Sequence, residues 1–111
     1  MSETKKDFIE FLRVLADQTR LDILDLLRQK KKTSSEIQTV LIKSQSTISQ
    51  HLKILTNKNL IHFERIDNVK YYKIKNPEIF KLLVEVKSFV EGINKEKLQT
   101  MSDEAVRDTL S

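Results

Sequence analysis

Few side chains in this sequence can do bond-breaking chemistry. Cys is absent and there are two histidines, His51 and His62. Without Cys there are no disulfides, no thiolate metal sites, no sulfur nucleophile and no thiol redox switch. His51 has no His, Asp or Glu within four residues on either side. A metal ligand or general base needs such a partner in reach, so the expected role of His51 is a packed or hydrogen-bonded position at the edge of a helix, with a phosphate contact as the alternative. His62 opens a strand and reads as a surface or half-buried residue. Glu85, Glu91 and Asp103 are scattered carboxylates of the kind that are normally solvated. No Gly-rich phosphate loop, nucleophile motif or metal cluster occurs. The expectation is a protein that is not an enzyme, with no cofactor and no metal.

The chemistry that remains is hydrogen bonding, and it concentrates in "SQSTISQHLKIL", Ser44 to Leu55, with four hydroxyls, two Gln and one His around four aliphatic residues. At about 100° per residue, Ile48, Leu52 and Leu55 fall on one helical face, and Ser46, Ser49, Gln50, Lys53 and Asn57 on the opposite one. No acid lies between Ser44 and Lys58. A helix that reads a duplex needs an apolar face to seat it and an outward face of donors and acceptors for base edges. It should carry no carboxylates, which phosphates repel. The N-terminal turn would enter the major groove first, so Gln45, Ser46, Ser49 and Gln50 are the expected base readers, Gln being suited to adenine. Lys43, Ser44, Thr47, Lys53 and Lys58 are the expected phosphate contacts. An ordinary polar surface helix is the competing reading.

Charge supports the first reading. The net charge is +4 over 111 residues. Residues 28–75 hold eleven Lys or Arg against three acids, a surplus of eight, while residues 1–27 and 76–111 each carry two more acids than bases. A basic middle between mildly acidic ends suits a phosphate-facing surface on a neutral scaffold. The length allows one compact domain. No run of about 18 apolar residues suggests a membrane span, and "MSETKKDF" has no apolar core for a secretory signal, so a cytoplasmic protein with no membrane partner is expected.

The elements that must position this helix can be read along the chain. With one Gly and one Pro, mostly helix is expected. "KDFIEFLRVLA" spaces Phe8, Phe11, Leu12 and Leu15 for an amphipathic helix from about Thr4 to Ala16. Asp17 can cap a second helix with Leu21, Leu24, Leu27 and the flanking Ile23 on its broad apolar face, ended by the positive charge of "RQKKK". "TSSE", Thr33 to Glu36, is a capping box opening a short helix. Ser44 caps the next, which should end near Lys58 with Asn59 in the left-handed conformation. "LIHFERI" and "VKYYKI" flank "DN" as a β-hairpin, whose tip offers Arg65, Asn68 and Lys70 to the DNA backbone or minor groove. Asn76 as cap and Pro77 at the first position restart a helix whose stripe is Ile79, Leu83, Val86, Val90 and Ile93, widened by Phe80, Leu82, Val84 and Phe89. Beyond Gly92 the signal weakens, and residues 101–111 could be a frayed helix or a mobile tail. The fold class is therefore mainly α with a small β-hairpin: a winged helix-turn-helix, α-α-α-α-β-β-α, spanning residues 1–100.

At these residues the chain resembles the ArsR-type family of winged-helix transcriptional repressors. "LADQTRLDILDLL" resembles the family's first-to-second helix signature, with Gln18 where Pro is usual. "SQSTISQHLKIL" is similar to the recognition-helix signature, and "NLIHFERIDNVKYYKI" to the wing, with Tyr72 at the usual aromatic position. The resemblance implies a homodimer on double-stranded DNA, at an imperfect palindrome, repressing transcription. It implies dimerisation through the first and last helices, here by Phe8, Phe11, Leu12, Phe80, Leu83, Val86, Val90 and Ile93, which exceed the needs of one small core; plain intrachain core is the alternative. Three departures stand out. Ile42 and Lys43 replace the Gly usual before the recognition helix, and since a β-branched residue tolerates positive φ poorly, another conformation of that turn is expected. Asp67-Asn68 replaces the usual Gly-Arg at the wing tip, which argues against strong minor-groove insertion. The Cys pairs and late His residues of the family's metal sensors are missing, so the inducer is unknown. A sequence-tolerant architectural DNA-binding protein and a winged-helix protein–protein adaptor are the alternative functions.

Overall fold

A computed structural model describes residues 3–110 of the chain. Its elements are α1 (Glu3–Leu15), α2 (Gln18–Gln29), β1 (Lys32–Thr33), α3 (Ser34–Leu41), α4 (Gln45–Asn57), β2 (Ile61–Ile66), β3 (Val69–Ile74) and α5 (Glu78–Leu110). They form two compact units, one ending at Pro77 and the other made of α5. The expected winged helix-turn-helix is present, with one element the sequence reading lacks. The segment Lys32–Thr33 pairs antiparallel with β3, Lys32 opposite Tyr72 and Thr33 opposite Tyr71, so the sheet order is β1-β3-β2. Two residues of a lysine-rich loop carry no periodicity that would reveal a strand.

Local chemistry sets the helix ends. Asp17 caps α2 by accepting from the Arg20 amide at 3.0 Å. Thr33 and Glu36 form the reciprocal capping box of α3. The Ser44 hydroxyl accepts from the Thr47 amide to cap α4. At the end of α4, Asn59 takes φ 59°, and the Leu60 amide reaches back to the Leu55 carbonyl at 3.1 Å. This is a left-handed helix stop with a buried apolar residue after it. In the hairpin, Asp67 and Asn68 have φ 52° and 66°, the paired positive values of a two-residue turn whose twist matches its strands. The register runs from Ile61 opposite Ile74 to Ile66 opposite Val69.

Two expectations need correction. Ile42 does take the left-handed conformation, φ 55° and ψ 52°. Its amide and that of Lys43 both close on the Gln38 carbonyl, the latter at 3.1 Å. The need to satisfy the last carbonyls of α3 and to swing the chain into α4 overrides the residue's own preference. The final helix begins at Glu78, with Asn76 and Pro77 ahead of it; the Asn76 side-chain amide donates instead to the Asn59 carbonyl at 2.6 Å. Residues 101–110, left open between frayed helix and tail, continue α5 as helix, and Ser111 lies outside the described residues.

The core of the first unit comprises Val14, Ile23, Leu24, Leu27, Ile37, Ile48, Leu52, Leu55, Leu60 and Ile61. Every helix from α1 to α4 and the start of the hairpin contribute to it, which fixes α4 relative to the wing. No helix among the described residues is long and apolar enough to cross a membrane.

Candidate nucleic-acid interface

Helix α4 is seated by Ile48, Leu52 and Leu55, each at most 2% exposed. The period that buries these three turns Gln45, Ser46, Ser49, Gln50 and Lys53 outward, and all five are exposed. Among the described residues none supplies a hydrogen-bond or ionic partner to Gln45, Ser49, Gln50 or Lys53. Their donors and acceptors are therefore free for a ligand. Lys43 is exposed just ahead of the helix. Ser44 and Thr47 are engaged with each other: the Ser44 hydroxyl donates to Thr47 Oγ1 at 2.9 Å while accepting the Thr47 amide. The Ser44 oxygen thus caps the helix while its proton is directed to the Thr47 hydroxyl.

Lys58 is also placed differently from its expected phosphate role. Its Nζ bonds Glu10 Oε2 of α1 at 3.0 Å, and this contact holds the Glu10 carboxyl below the usual carboxylate range. Helix α1 is tied to α4 a second time through Arg20. The Arg20 guanidinium donates to the carbonyls of Val14 (2.6 Å) and Arg13 (3.1 Å) at the end of α1, and its Nη1 lies 3.1 Å from His51 Nδ1. Arginine has no lone pair to accept with, so His51 Nδ1 is the accepting side of this contact. Asp17 Oδ1 is 4.0 Å from the same nitrogen. The Arg20 backbone amide, aided by the guanidinium charge, holds the Asp17 carboxyl below its ordinary value. His51 is thus a hydrogen-bonded residue on the flank of α4. Neither Arg20 nor Glu10 was a candidate from the sequence, because their partners lie 31 and 48 residues away.

In the wing, Arg65 and Asn68 are exposed near the tip. Lys70 is half-buried, its Nζ 4.0 Å from the centre of the Phe63 ring and 5.7 Å from that of Tyr72. It lines a groove of about 350 Å³ with Ser49, Lys53, Thr56, Asn57, Phe63 and Tyr72. Lys70, opposite Arg65 in the hairpin register, thus faces the second half of α4 from the tip-proximal part of the wing. Glu64, the acid inside the wing strand, is paired with Lys31 (3.0 Å) and Lys73 (3.2 Å), contacts that lower its pKa and offset its charge. Among the described residues no three His, Asp or Glu side chains come together as a metal site would require.

The residues expected at a subunit interface are mostly open. On α1, Phe8 is 60% exposed, Leu12 is exposed and Phe11 is half-buried. On α5, Val86, Val90 and Ile93 are exposed and Phe80 and Leu83 half-buried. The exposed apolar surface of α5 extends further, to Phe89 (70%), Leu98 and Met101.

Residues 17–62 match the model of a bacterial regulatory protein family, the arsR family. The chain is 37% identical over 90 residues to the arsenical resistance operon repressor of Bacillus subtilis (strain 168), covering 77% of this chain and 86% of that protein. Its fold is similar to that of the transcriptional repressor PagR of Bacillus anthracis, with a TM-score of 0.60 and 34% identity over 72% of this chain and 95% of the other. It is also similar to a homodimeric winged helix-turn-helix DNA-binding domain from Mycobacterium bovis, described as a possible ArsR-family transcriptional regulator, with a TM-score of 0.71 and 25% identity over 86% and 93% of the two chains. A capped reading helix free of acids, a paired wing and this degree of identity agree: the chain belongs to the ArsR family and is a winged-helix, DNA-binding transcriptional regulator.

Proposed function

We propose that the protein is a cytoplasmic, homodimeric repressor that binds one imperfect palindrome of double-stranded DNA with α4 in the major groove. The observation that carries this reading is the outward face of α4. Gln45, Ser46, Ser49 and Gln50 stand exposed on a helix whose opposite face is fully buried, with no carboxylate along its length. They are the proposed base readers. Lys43, Lys53, Thr47, Arg65, Asn68 and Lys70 are the proposed phosphate contacts. The paired Lys58 and the capped Ser44 act instead by holding α4 in place. Residues 1–100 form the working domain.

A second copy is supported by the open apolar surfaces of α1 and of α5, each too extensive to be left in water, and by the homodimeric relative from Mycobacterium bovis. Two-fold symmetry would set the two reading helices one DNA turn apart, about 34 Å.

The test is selection of bound fragments from random DNA, followed by titration on the selected and on shuffled duplexes at several salt concentrations. The expected result is a two-fold-symmetric site bound at least about a thousandfold more tightly than the shuffled duplex. Gln45→Ala and Gln50→Ala should each reduce that preference by about 1–3 kcal/mol while leaving binding to the shuffled duplex nearly unchanged. Equal affinity for both duplexes would replace the repressor by an architectural DNA-coating protein. An absence of DNA binding would leave a protein–protein adaptor.

A further inference from the structure

A helix lying in the major groove and a hairpin reaching toward the neighbouring minor groove are separated by one DNA strand. That strand's sugar–phosphate backbone must cross between the two protein elements. In this chain the space between α4 and the wing is the groove lined by Ser49, Lys53, Thr56, Asn57, Phe63, Lys70 and Tyr72. We infer that this groove is a seat for one backbone phosphodiester of the bound duplex, gripped by Lys53 from the helix and Lys70 from the wing, with Phe63 and Tyr72 as the residues that position Lys70.

Four observations carry this. The groove brings a lysine from each wall to one place and has no carboxylate in its lining. Lys53 has no partner among the described residues, and Ser49 and Asn57 add free polar groups beside it; Thr56 supplies wall only, because its hydroxyl donates to the Leu52 carbonyl at 2.7 Å. Lys70 is not a freely swinging surface lysine. Two aromatic faces hold its ammonium, 4.0 Å from Phe63 and 5.7 Å from Tyr72, and the rings themselves meet at 5.8 Å in a tilted pair. A ring face attracts a cation without neutralising it. Lys70 is therefore ordered in advance and keeps its full charge for an anion, so little side-chain freedom is lost on binding. Finally, Phe63 is an exposed aromatic in a strand, a placement that packing alone does not require and that the cation explains.

The consequence is a change in how the wing works. The turn itself, Asp67-Asn68, carries no positive charge, and the backbone contact falls to the strand residues behind it, with Lys70 opposite Arg65.

This inference rests on the proposed DNA binding, and its test separates the two. Binding of wild type, Lys70→Gln and Phe63→Leu to the selected duplex is followed against salt concentration. Each lost phosphate contact lowers the slope of log K against log salt by about 0.9 and weakens binding roughly eightfold near 0.1 M salt, so a dimer that loses one contact in each subunit should lose about 1.8 in slope and roughly sixtyfold in affinity. Lys70→Gln should do this equally on the selected and shuffled duplexes. Phe63→Leu, which keeps the lysine but removes its seat, should weaken binding by a smaller factor, and the double variant should be no weaker than Lys70→Gln alone. A duplex with a neutral methylphosphonate at the phosphate between the two grooves in each of its two half-sites should bind wild type and Lys70→Gln equally. If wild type binds the selected duplex while Lys70→Gln retains its full slope and affinity, the inference is overturned and DNA reading stands. If wild type binds no duplex, both fail. A Lys70 ammonium resonance that responds to inorganic phosphate at the same concentration as to duplex would overturn it in favour of a small-anion site.

Discussion

Helices α4 and α5 are both striped with aliphatic residues at helical spacing, and the structure treats their stripes in opposite ways. Ile48, Leu52 and Leu55 of α4 are closed from water, and what the helix shows is Gln, Ser and Lys. In α5, Val86, Phe89, Val90, Ile93, Leu98 and Met101 all stand exposed. The outward face of α4 is made of side chains that water already satisfies, so it can remain open and meet a hydrated, charged duplex at little desolvation cost. The apolar face of α5 gains only if something apolar covers it, at about 25 cal/mol for each Å² removed from water. The proposed function assigns the first helix to DNA and the second to another copy of the chain.

The largest effect should come from spoiling the apolar face. Phe89→Glu combined with Val90→Glu places like charges where two copies would meet, and a charge buried without a partner is strongly unfavourable. At micromolar concentration the variant should sediment as a monomer. Affinity for the palindrome should fall by roughly a hundredfold or more, because each half-site must then be bound separately. Circular dichroism should show the winged unit still folded, since neither residue belongs to its core. A dimer of undiminished stability would mean that α5 is not the face by which copies meet.

The second effect tests how α4 is held. Arg20 links the last carbonyls of α1 to His51 on α4, and Lys58 with Glu10 adds a second tie. Arg20→Ala strands the Val14 carbonyl and an imidazole nitrogen at a half-buried site, so unfolding stability should drop by about 2 kcal/mol. Thermal melts check the number. Lys58→Ala, which removes a partly exposed pair, should lower the melting temperature less than Arg20→Ala does. The reverse ranking would make the ion pair, and not the arginine, the principal tie.

These ties also mark where sequence reading stops. The caps at Asp17, Thr33 and Ser44, the left-handed Asn59 and the Asp67-Asn68 turn were all legible, because each is a contact within about five residues. The outward face of α4 was legible for the same reason: helical periodicity is local. Arg20 with His51, Glu10 with Lys58, and Lys70 over Phe63 were not, since each depends on where separate elements come to rest. Strand β1 was hidden because its pairing is dictated by β3, not by its own two residues. A sequence shows the charge of Lys58 and the hydroxyl of Ser44 but not that Glu10 and Thr47 engage them.

Acid should loosen the seat of α4 in a direction the carboxylates fix. Glu10, Glu36 and Glu64 have pKa values below their ordinary 4.5, and Asp17 below 3.8, each through a hydrogen bond to a lysine, a hydroxyl or a backbone amide. A depressed folded-state value means that folding favours the ionised form. The stabilisation is therefore complete above about pH 4.5 and is lost as pH falls through the folded-state values. Melting temperature should be flat for these groups from pH 5 to 7 and decline below about pH 4.5. Glu10→Gln with Glu64→Gln should make that decline shallower. A decline of unchanged steepness would assign the acid sensitivity to other groups.

The smallest effect lies at the entrance to α4. Asn59 and Ile42 end their helices in the same left-handed conformation, φ 59° and 55°, yet only Asn is suited to it. For a β-branched residue this conformation costs about 1–2 kcal/mol, and Ile42, 88% exposed, recovers little of that by burial. Ile42→Gly removes the strain but adds freedom to the unfolded chain, worth about 0.5–1 kcal/mol in the opposite sense. The balance should be a gain of about 0.5 kcal/mol in chemical denaturation, and Ile42→Asn should give a similar one. If either variant is less stable than wild type, the exposed isoleucine is covered by something in solution, and the contrast between an open polar α4 and an open apolar α5 would no longer hold at the turn that introduces α4. A variant that is more stable but binds DNA less tightly would instead show that the strained turn sets the angle at which the reading helix is presented.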